Sequence, residues 1–491
     1  MLKLLLLGSA VIIACILCNR LTSRFGIPML LAFILLGMLF GSEGLLRIPF
    51  DDFQFAENVC TIALIFIMFY GGFGTRWKTA RPTAAKALLL SSLGTIITAL
   101  LTGFFCCIVL KFSLLEGLLT GAVLGSTDAA SVFSVLRSQK LSLKNSTDSL
   151  LEVESGSNDP FAYMLTIILL SAMKGSGSPG SLPAQILSTA LSQILFGIFI
   201  GAGLAWAVRW FLENFTFETN GFDTAFVLAA ALLAYALPSA IGGNGYLSAY
   251  LMGIILGNRP IRNKKALVNF FDGLTSLMQM LIFFILGLLS FPSRIAAVWL
   301  PALAIALFLT LIARPLAVAL LFTPLKAAFS QQALIAWAGL RGAASIVFAI
   351  MASVSGVRLE HDLFHIVFCI VLLSISIQGT LLPWAAGKLD MIDRDGNILT
   401  TFNDYTEETD IRFISIPIRT NNPWAGKQVC ELNLPPGTLL VFLRRTGENL
   451  IPKGNTVIQE NDVLVLGASA YTGEDSIHLT EISVNHLHPW C

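Results

Sequence analysis

Acidic and hydroxyl side chains interrupt an otherwise apolar stretch of the chain at residues 152–160. This run reads Glu-Val-Glu-Ser-Gly-Ser-Asn-Asp-Pro, within a segment, 149–173, that is otherwise apolar enough to span a membrane. If a helix begins near Ser149, where Ser149 and Glu152 have capping-box spacing, Asp159 lies roughly 15 Å along it. That is the middle of a hydrocarbon core about 30 Å thick. Because a carboxylate at this depth is costly, Asp159 indicates an ion or proton site.

Helical periodicity sorts the acidic side chains of this segment into two directions. Ser155 and Glu152 lie four and seven residues before Asp159, so the three share a face of the helix. Glu154 instead aligns with Asn158. Glu152 therefore either lines an aqueous funnel that leads to Asp159 or is a solvated residue of the first helical turn, and the pattern leaves both open.

A second intramembrane acid, Asp128, follows the sequence Gly-Ser-Thr in the predicted fifth helix. It lies roughly 13–14 Å from the inner end of that helix. Gly121 and Gly125 either permit close helix packing or allow the helix to be interrupted. An interruption leaves free backbone carbonyls and amides at mid-membrane, where they can bind a dehydrated ion. The presence of Asp128 favours the interruption.

Two arginines also lie within predicted membrane helices, and a buried arginine needs a partner. Arg341, in the predicted twelfth helix, is expected to pair with Glu154, whose direction leaves it available. Arg314, in the eleventh, either pairs with Asp272 or caps a kink next to the proline that follows it.

Composition identifies the elements that position these residues. The chain has 491 residues, of which 55% are hydrophobic and 12% charged, so it is an all-α polytopic membrane protein for most of its length. Its net charge of +1 gives no reason to expect nucleic acid as a partner. The apolar runs predict thirteen transmembrane helices, at 2–18, 26–45, 57–73, 84–110, 113–137, 149–173, 183–210, 222–240, 244–257, 266–290, 295–322, 328–354 and 363–386.

The order of the helices predicts both topology and symmetry. Loop lysines and arginines are concentrated on one side, which places the C-terminus in the cytoplasm and the N-terminus outside. If helices 1–6 and 8–13 are two inverted repeats joined by the seventh, the fifth and twelfth helices correspond. Both are interrupted by glycine and carry charge, which predicts two broken helices that cross at the membrane midplane.

The remainder of the chain changes character near residue 387. Residues 1–387 form the predicted transmembrane domain, 388–404 an acidic linker, and 405–491 a small cytoplasmic α+β domain. Short alternating runs separated by turn residues predict its strands. It contains no Gly-x-Gly-x-x-Gly sequence, so no dinucleotide cofactor is expected.

Three motifs together resemble the monovalent cation:proton antiporters, in particular the NhaP and sodium/proton exchanger branch. They are Ser126-Thr127-Asp128, Glu154-Ser155-Gly156-Ser157-Asn158-Asp159-Pro160 and Gly339-Leu340-Arg341-Gly342. The tail resembles a TrkA-C (RCK-C) regulatory domain, and this combination is typical of the potassium/proton antiporters of the cell volume regulation subgroup. One departure is Ala129, where many relatives have proline.

The resemblance implies an electroneutral antiporter that exchanges a monovalent cation, preferably K⁺, for H⁺ across the inner membrane of the cell. It also implies a homodimer, no catalytic residues and no cofactor, and a structural ion pair of Glu154 with Arg341. The implied ion- and proton-binding residues are Asp159, Asp128, Thr127, Ser155 and Asn158, the two aspartates being the ligands of K⁺ or Na⁺.

Three alternatives to potassium/proton exchange are distinguishable. A Na⁺(Li⁺)/H⁺ antiporter would use the same mechanism, and the sequence does not fix cavity size or ligand number. A cation channel regulated by the tail would need a filter sequence such as Thr-Val-Gly-Tyr-Gly, which is missing from the chain. An intramembrane hydrolase using Asp128 and Asp159 would leave the tail without a role.

Overall fold

The structure is a computed structural model of the full chain. It describes residues 8–9, 11–17, 29–139, 141–175, 182–215, 219, 221–261, 263–393, 411–418, 422, 424–432, 434, 438–445 and 448–469. The chain divides into two compact units, Met1–Asp404 and Tyr405–Cys491.

The first unit is a bundle of helices that follows the predicted order. Seven of the described helices are long and apolar enough to cross a membrane, and shorter or more polar ones lie between them. The bounds are α1 Met29–Phe40, α2 Phe53–Gly74, α3 Trp77–Val109, α4 Leu114–Val123, α5 Ala129–Ser138, α6 Thr147–Met173, α7 Leu182–Asn214, α8 Phe222–Ala240, α9 Gly245–Gly257, α10 Lys264–Leu288, α11 Pro292–Phe322, α12 Phe329–Trp337, α13 Ala343–Val354 and α14 Leu363–Lys388. Of the predicted first helix, 2–18, positions 8–9 and 11–17 are described and are helical.

The predicted fifth and twelfth helices are each interrupted, as the sequence indicated. The helix ends at Val123 and resumes at Ala129, so α4 and α5 are its two halves. The second interruption lies between Trp337 and Ala343, which makes α12 and α13 the other two halves. The backbone of residues 124–128 and 338–342 therefore has polar groups that no helix satisfies.

Packing groups the helices into two bundles. The site bundle, as we call it, contains α3–α6 and α11–α14; the flanking bundle contains α1, α2 and α7–α10. Each bundle takes helices from both predicted repeats, and the two halves of the site bundle are related by a shift of seven in the predicted count. This is the arrangement expected of two intertwined inverted repeats.

Contacts between loops define the two ends of the first unit. At the tail end, β1 (Ser142–Leu143) pairs with β2 (Ile392–Asp393), which follows α14. The Asn258 side chain at this end donates to the Thr75 carbonyl at 2.8 Å. At the far end, the Ser293 amide donates to the Glu43 carboxylate at 2.8 Å.

The second unit is a small sheet domain. Four antiparallel strands lie in the order β3 (Ile411–Pro417), β6 (Val463–Ser469), β4 (Thr438–Arg445) and β5 (Glu448–Leu450). Ile458, Leu443 and Leu464 are fully buried at its centre. This agrees with the predicted strands, while residues 405–410 and 470–491 lie outside the described part of the chain.

Candidate functional site

The two interrupted helices meet at their breaks. The amide of Asp128, at the end of the first break, donates to the carbonyl of Leu340 in the second at 2.8 Å. Gly342 lies so close to this contact that a Cβ on it would be 2.4 Å from the Asp128 Cβ. The close approach therefore requires glycine at position 342, and it places the free ends of both helix pairs at one point.

The glycines of the first break have separate roles. A Cβ at Gly121 would lie 2.0 Å from the Ala99 carbonyl oxygen, so this residue allows α4 to pack closely on α3. Gly125 lies in the break itself. Close helix packing, the first alternative left open by the sequence, therefore applies to Gly121. Helix interruption, the second alternative, applies to Gly125.

Asp159 and Asp128 both line one cavity, of about 560 Å³, beside the crossing. Asp159 projects from α6 and is 5% exposed. The Ser126 hydroxyl, from the break, donates to its Oδ1 atom. Asp128 accepts hydrogen bonds from the amide and hydroxyl of Ser131, one turn into α5. A buried and a partly buried carboxylate in one cavity provide hard oxygen ligands for an alkali cation or alternative positions for a proton.

Thr127 and Ser155 also line the cavity. The Ser155 hydroxyl donates to the Thr127 carbonyl at 2.8 Å and accepts from the Ala129 amide at 2.9 Å. These two bonds satisfy backbone groups that the helix break leaves free. Ser155 therefore holds the unwound segment against α6 while presenting oxygen to the cavity.

Asn158 lies behind this surface and is fully buried. Its amide nitrogen donates to the Thr127 hydroxyl at 2.6 Å and to Glu154 at 3.2 Å, and its carbonyl oxygen accepts from the Thr127 amide at 3.3 Å. Asn158 is not among the residues that line the cavity. In this structure Asn158 holds Thr127 in place, and direct ligation of the ion by Asn158 stays a prediction.

The expected pairing of Glu154 with Arg341 is wrong. The structure places Arg314 against Glu154, with Nη2 at 2.9 Å from both carboxylate oxygens and both side chains almost fully buried. Arg341 instead donates from Nη1 to the Ser126 carbonyl at 2.7 Å, and its amide donates to the Ser374 hydroxyl. A π-helical turn, Leu309–Ala313, directly precedes Arg314. Such a turn changes the direction of later side chains, which ordinary helical spacing does not anticipate.

Glu152 lies in the wall of the same cavity as Ser155 and Asp159. Glu154, two residues away, faces Arg314 instead. The two directions deduced from helical periodicity are therefore the two found in the structure. Asp272, the other partner considered for Arg314, accepts a hydrogen bond from the Tyr70 hydroxyl at 3.2 Å.

Three residues of the site were not identified as such from the sequence. Ser126 is the hydrogen-bond donor to Asp159, and only its place in the Ser-Thr-Asp motif drew attention to it. Tyr70 and Asp272 line the cavity from the flanking bundle. Neither residue belongs to a recognised motif. Asp272 is nevertheless an acid in an apolar helix, which by itself indicates a functional site.

Two protein families match this chain, one in each of its two compact units. The profile of the transmembrane sodium/hydrogen exchanger family matches residues 9–388, and that of the TrkA-C domain matches residues 413–470.

Individual proteins of known name are similar along nearly the whole chain. A K(+)/H(+) antiporter NhaP2 of Shewanella sp. (strain ANA-3) is 36% identical over 466 residues, which is 94% of this chain and 80% of that protein. A K(+)/H(+) antiporter NhaP of Alkalimonas amylolytica is also 36% identical, over 95% of this chain and 81% of its own length. The solved structure of the sodium proton antiporter MjNhaP1 from Methanocaldococcus jannaschii at pH 8 superposes with a TM-score of 0.68. It is 24% identical and covers 77% of this chain and 100% of that one.

Proposed function

This chain belongs to the sodium/hydrogen exchanger family and is a monovalent cation:proton antiporter, and we propose that the cation it exchanges for protons is K⁺. The 36% identity to proteins named as K(+)/H(+) antiporters supports this choice of cation. The observation that carries the proposal is the placement of Asp159 and Asp128 in one cavity at the crossing of the two breaks.

Exchange follows from competition at a buried carboxylate. Burial disfavours a bare carboxylate, so Asp159 is stable there when it holds either a proton or a cation. Asp128 and the oxygens of Thr127 and Ser155 complete the coordination of the cation. If the site bundle moves against the flanking bundle, each passage carries one of the two ions across the membrane.

The buried charges at the crossing favour one-for-one, electroneutral exchange. Two cations, Arg314 and Arg341, lie among three carboxylates, those of Glu154, Asp128 and Asp159, and all of these groups except the partly exposed Asp128 are buried. Glu152 and Asp272 add two more carboxylates to the cavity wall, and a single H⁺ or a single K⁺ at Asp159 adds the same charge to this set. Carrying either ion, the site has the same charge.

The proposal also includes the location, the orientation and the oligomeric state of the protein. We place it in the inner membrane of the cell as a homodimer, with the N-terminus outside and the tail end of the first unit, together with the second unit, in the cytoplasm. The excess of basic loop residues at the tail end supports this orientation.

Inverted membrane vesicles test the proposal. Adding K⁺ to vesicles that hold a pH gradient should move protons, Na⁺ and Li⁺ should do so less well, and Asp159→Asn should abolish the response while the protein is still produced and folded. Wild-type exchange by this variant would refute the role of Asp159. A stronger response to Na⁺ or Li⁺ would change the cation, and K⁺ conductance without proton movement would identify a channel.

A further inference from the structure

The cavity has a second polar wall, which belongs to the flanking bundle. Four polar residues of α10 line it, and their spacing of three, four and seven residues places them on one face of the helix. They are Asp272, Thr275, Ser276 and Gln279. The following residues of α10, Ile282–Leu288, are apolar and buried. Towards the C-terminal end of α10, the polar face therefore ends at Gln279.

One group in this wall is fixed and another lacks a partner. The Tyr70 hydroxyl on α2 orients the Asp272 carboxylate through its 3.2 Å hydrogen bond. Thr275 is 9% exposed, and its hydroxyl has no hydrogen-bond partner among the described residues. Leaving a buried hydroxyl unpaired is unfavourable, because the group has lost its hydrogen bonds to water. A ligand or its water of hydration in the cavity would satisfy it.

The dimensions and the charge suit a hydrated alkali cation. A cavity of about 560 Å³ holds an ion with several waters, since one water occupies about 30 Å³. The carboxylates of Asp159, Asp128 and Glu152 lie in the opposite wall, so acids face the cavity from both bundles.

We propose that the face of α10 formed by Asp272, Thr275 and Gln279 is a second cation-binding site, which receives a partly hydrated monovalent cation before the cation reaches Asp159. This inference rests on the proposed antiport function. Because Asp272 belongs to the bundle that lacks the exchange site, it faces Asp159 only while the cavity is open at the tail end. Its role is to raise the local cation concentration there and not to hold the ion during passage.

The test is a comparison of KM with maximal rate. In inverted vesicles, Asp272→Asn should raise the KM for K⁺ added at the cytoplasmic face by about tenfold, the lower end of electrostatic focusing effects in charged clefts. The maximal rate should stay within about twofold, because the exchange site is intact. Right-side-out vesicles should give an unchanged KM. Thr275→Val should raise the cytoplasmic KM in the same direction.

Two matched variants keep the test decisive. Asp272→Glu keeps the charge and should retain a KM near wild type, whereas Asp223→Asn removes a carboxylate that is not in the cavity wall and should change nothing. An unchanged KM in Asp272→Asn, or an equal rise at both faces, overturns the proposal. The proposal is also overturned if Asp272→Asn lowers the maximal rate and Asp272→Glu does not restore it. Failure of the proposed antiport would be recognised separately, because added K⁺ would then move no protons in the wild-type protein.

Discussion

At the scale of single residues, the buried charges at the crossing depend on one bidentate contact. Arg314 and Glu154 are 2% and 1% exposed, and Nη2 reaches both carboxylate oxygens at 2.9 Å. Arg341 is held by a backbone carbonyl, that of Ser126. The two arginines therefore have different roles. Arg314 neutralises Glu154, and Arg341 fixes the unwound segment that carries Asp128.

We expect Arg314→Met to destabilise the protein by about 3–5 kcal/mol, because it leaves the Glu154 charge buried without a partner. Adding Glu154→Gln to this variant should restore part of the loss. The midpoint of thermal unfolding in detergent measures both effects.

The matched control is Arg209→Ala, which breaks an ion pair with Glu213 on a more exposed helix surface. Its cost should be below about 1 kcal/mol. If Arg314→Met were no more harmful than Arg209→Ala, the Glu154–Arg314 pair would not be a structural requirement.

At the scale of elements, the interrupted helices are the parts on which function depends. Breaks at 124–128 and 338–342 bring four helix ends together, and a hydrogen bond from Asp128 to Leu340 joins them. Neighbouring helices carry π-helical turns at Leu90–Gly94 and Leu309–Ala313, in α3 and α11, which correspond under the shift of seven. The helix breaks and these two π-helical turns are thus repeated in both halves, as duplication of one structural unit predicts, whereas the π-helical turn Ser374–Gly379 of α14 has no counterpart in α6.

Gly342→Ala tests the crossing. The added methyl group would lie 2.4 Å from the Asp128 Cβ, so the breaks must separate and Asp128 must move. We expect exchange to fall by about 10²-fold, which is typical for a displacement of about 1 Å at a reacting group.

Gly203→Ala, on α7, is the control because nothing lies within 4 Å of its added Cβ. Its exchange rate in vesicles should match wild type. Equal rates for the two variants would show that the close approach at Gly342 does not matter for transport.

At the scale of the whole membrane unit, the two bundles touch at the far end and leave the cavity between them nearer the tail end. Glu43, from the flanking bundle, accepts hydrogen bonds from the amide and hydroxyl of Ser293 in the site bundle. Phe53 packs edge-on against Phe364 with ring centroids 5.2 Å apart. These contacts close the far end of the seam, and they must separate if the cavity is to open there.

Cross-linking tests this closure. Cysteines at Glu43 and Ser293, joined by a reducible bifunctional thiol reagent, should stop exchange, and reduction should restore it. Cysteines at Ser142 and Asp393, which lie in paired strands that both belong to the site bundle, should leave exchange unaffected when joined. Continued exchange by the 43–293 cross-linked protein would argue against bundle motion at this seam.

The second unit has its own acid-sensitive contact. Arg445 donates to both oxygens of Asp462, at 2.9 and 2.7 Å, and the Gln459 amide donates at 2.8 Å. Burial by itself would raise the pKa of Asp462, but the hydrogen bonds to Arg445 and Gln459 outweigh it, and the pKa lies below its ordinary value. A lowered pKa in the folded state makes the unfolded state bind protons first, so stability is lost as the pH falls below about 4.

We expect Asp462→Asn to lower the stability of this unit by about 1.5–3 kcal/mol at neutral pH and to weaken its acid dependence. Hydrogen exchange of β4 and β6 in the full-length protein, corrected for intrinsic rates, measures both. Glu460→Gln, at an exposed neighbouring position, should change neither. Unaltered acid dependence in Asp462→Asn would assign the acid sensitivity to other groups.

The sequence by itself determined the class of the protein, the positions of both helix breaks and the directions of the acids on their helix. Each of these follows from local features: apolar length, glycine and hydroxyl residues next to an acid, and the 3.6-residue period that turned Glu154 away from Asp159. The tail domain was likewise readable from short alternating strands.

Only the tertiary structure decided which side chain meets which. Periodicity fixes the direction of Glu154 on its own helix, but its partner depends on which helix packs there and on that helix's register. A π-helical turn before Arg314 altered that register. The polar wall formed by Asp272 and Thr275 emerged in the same way, because a cavity between two bundles is defined by long-range packing and not by any single stretch of chain.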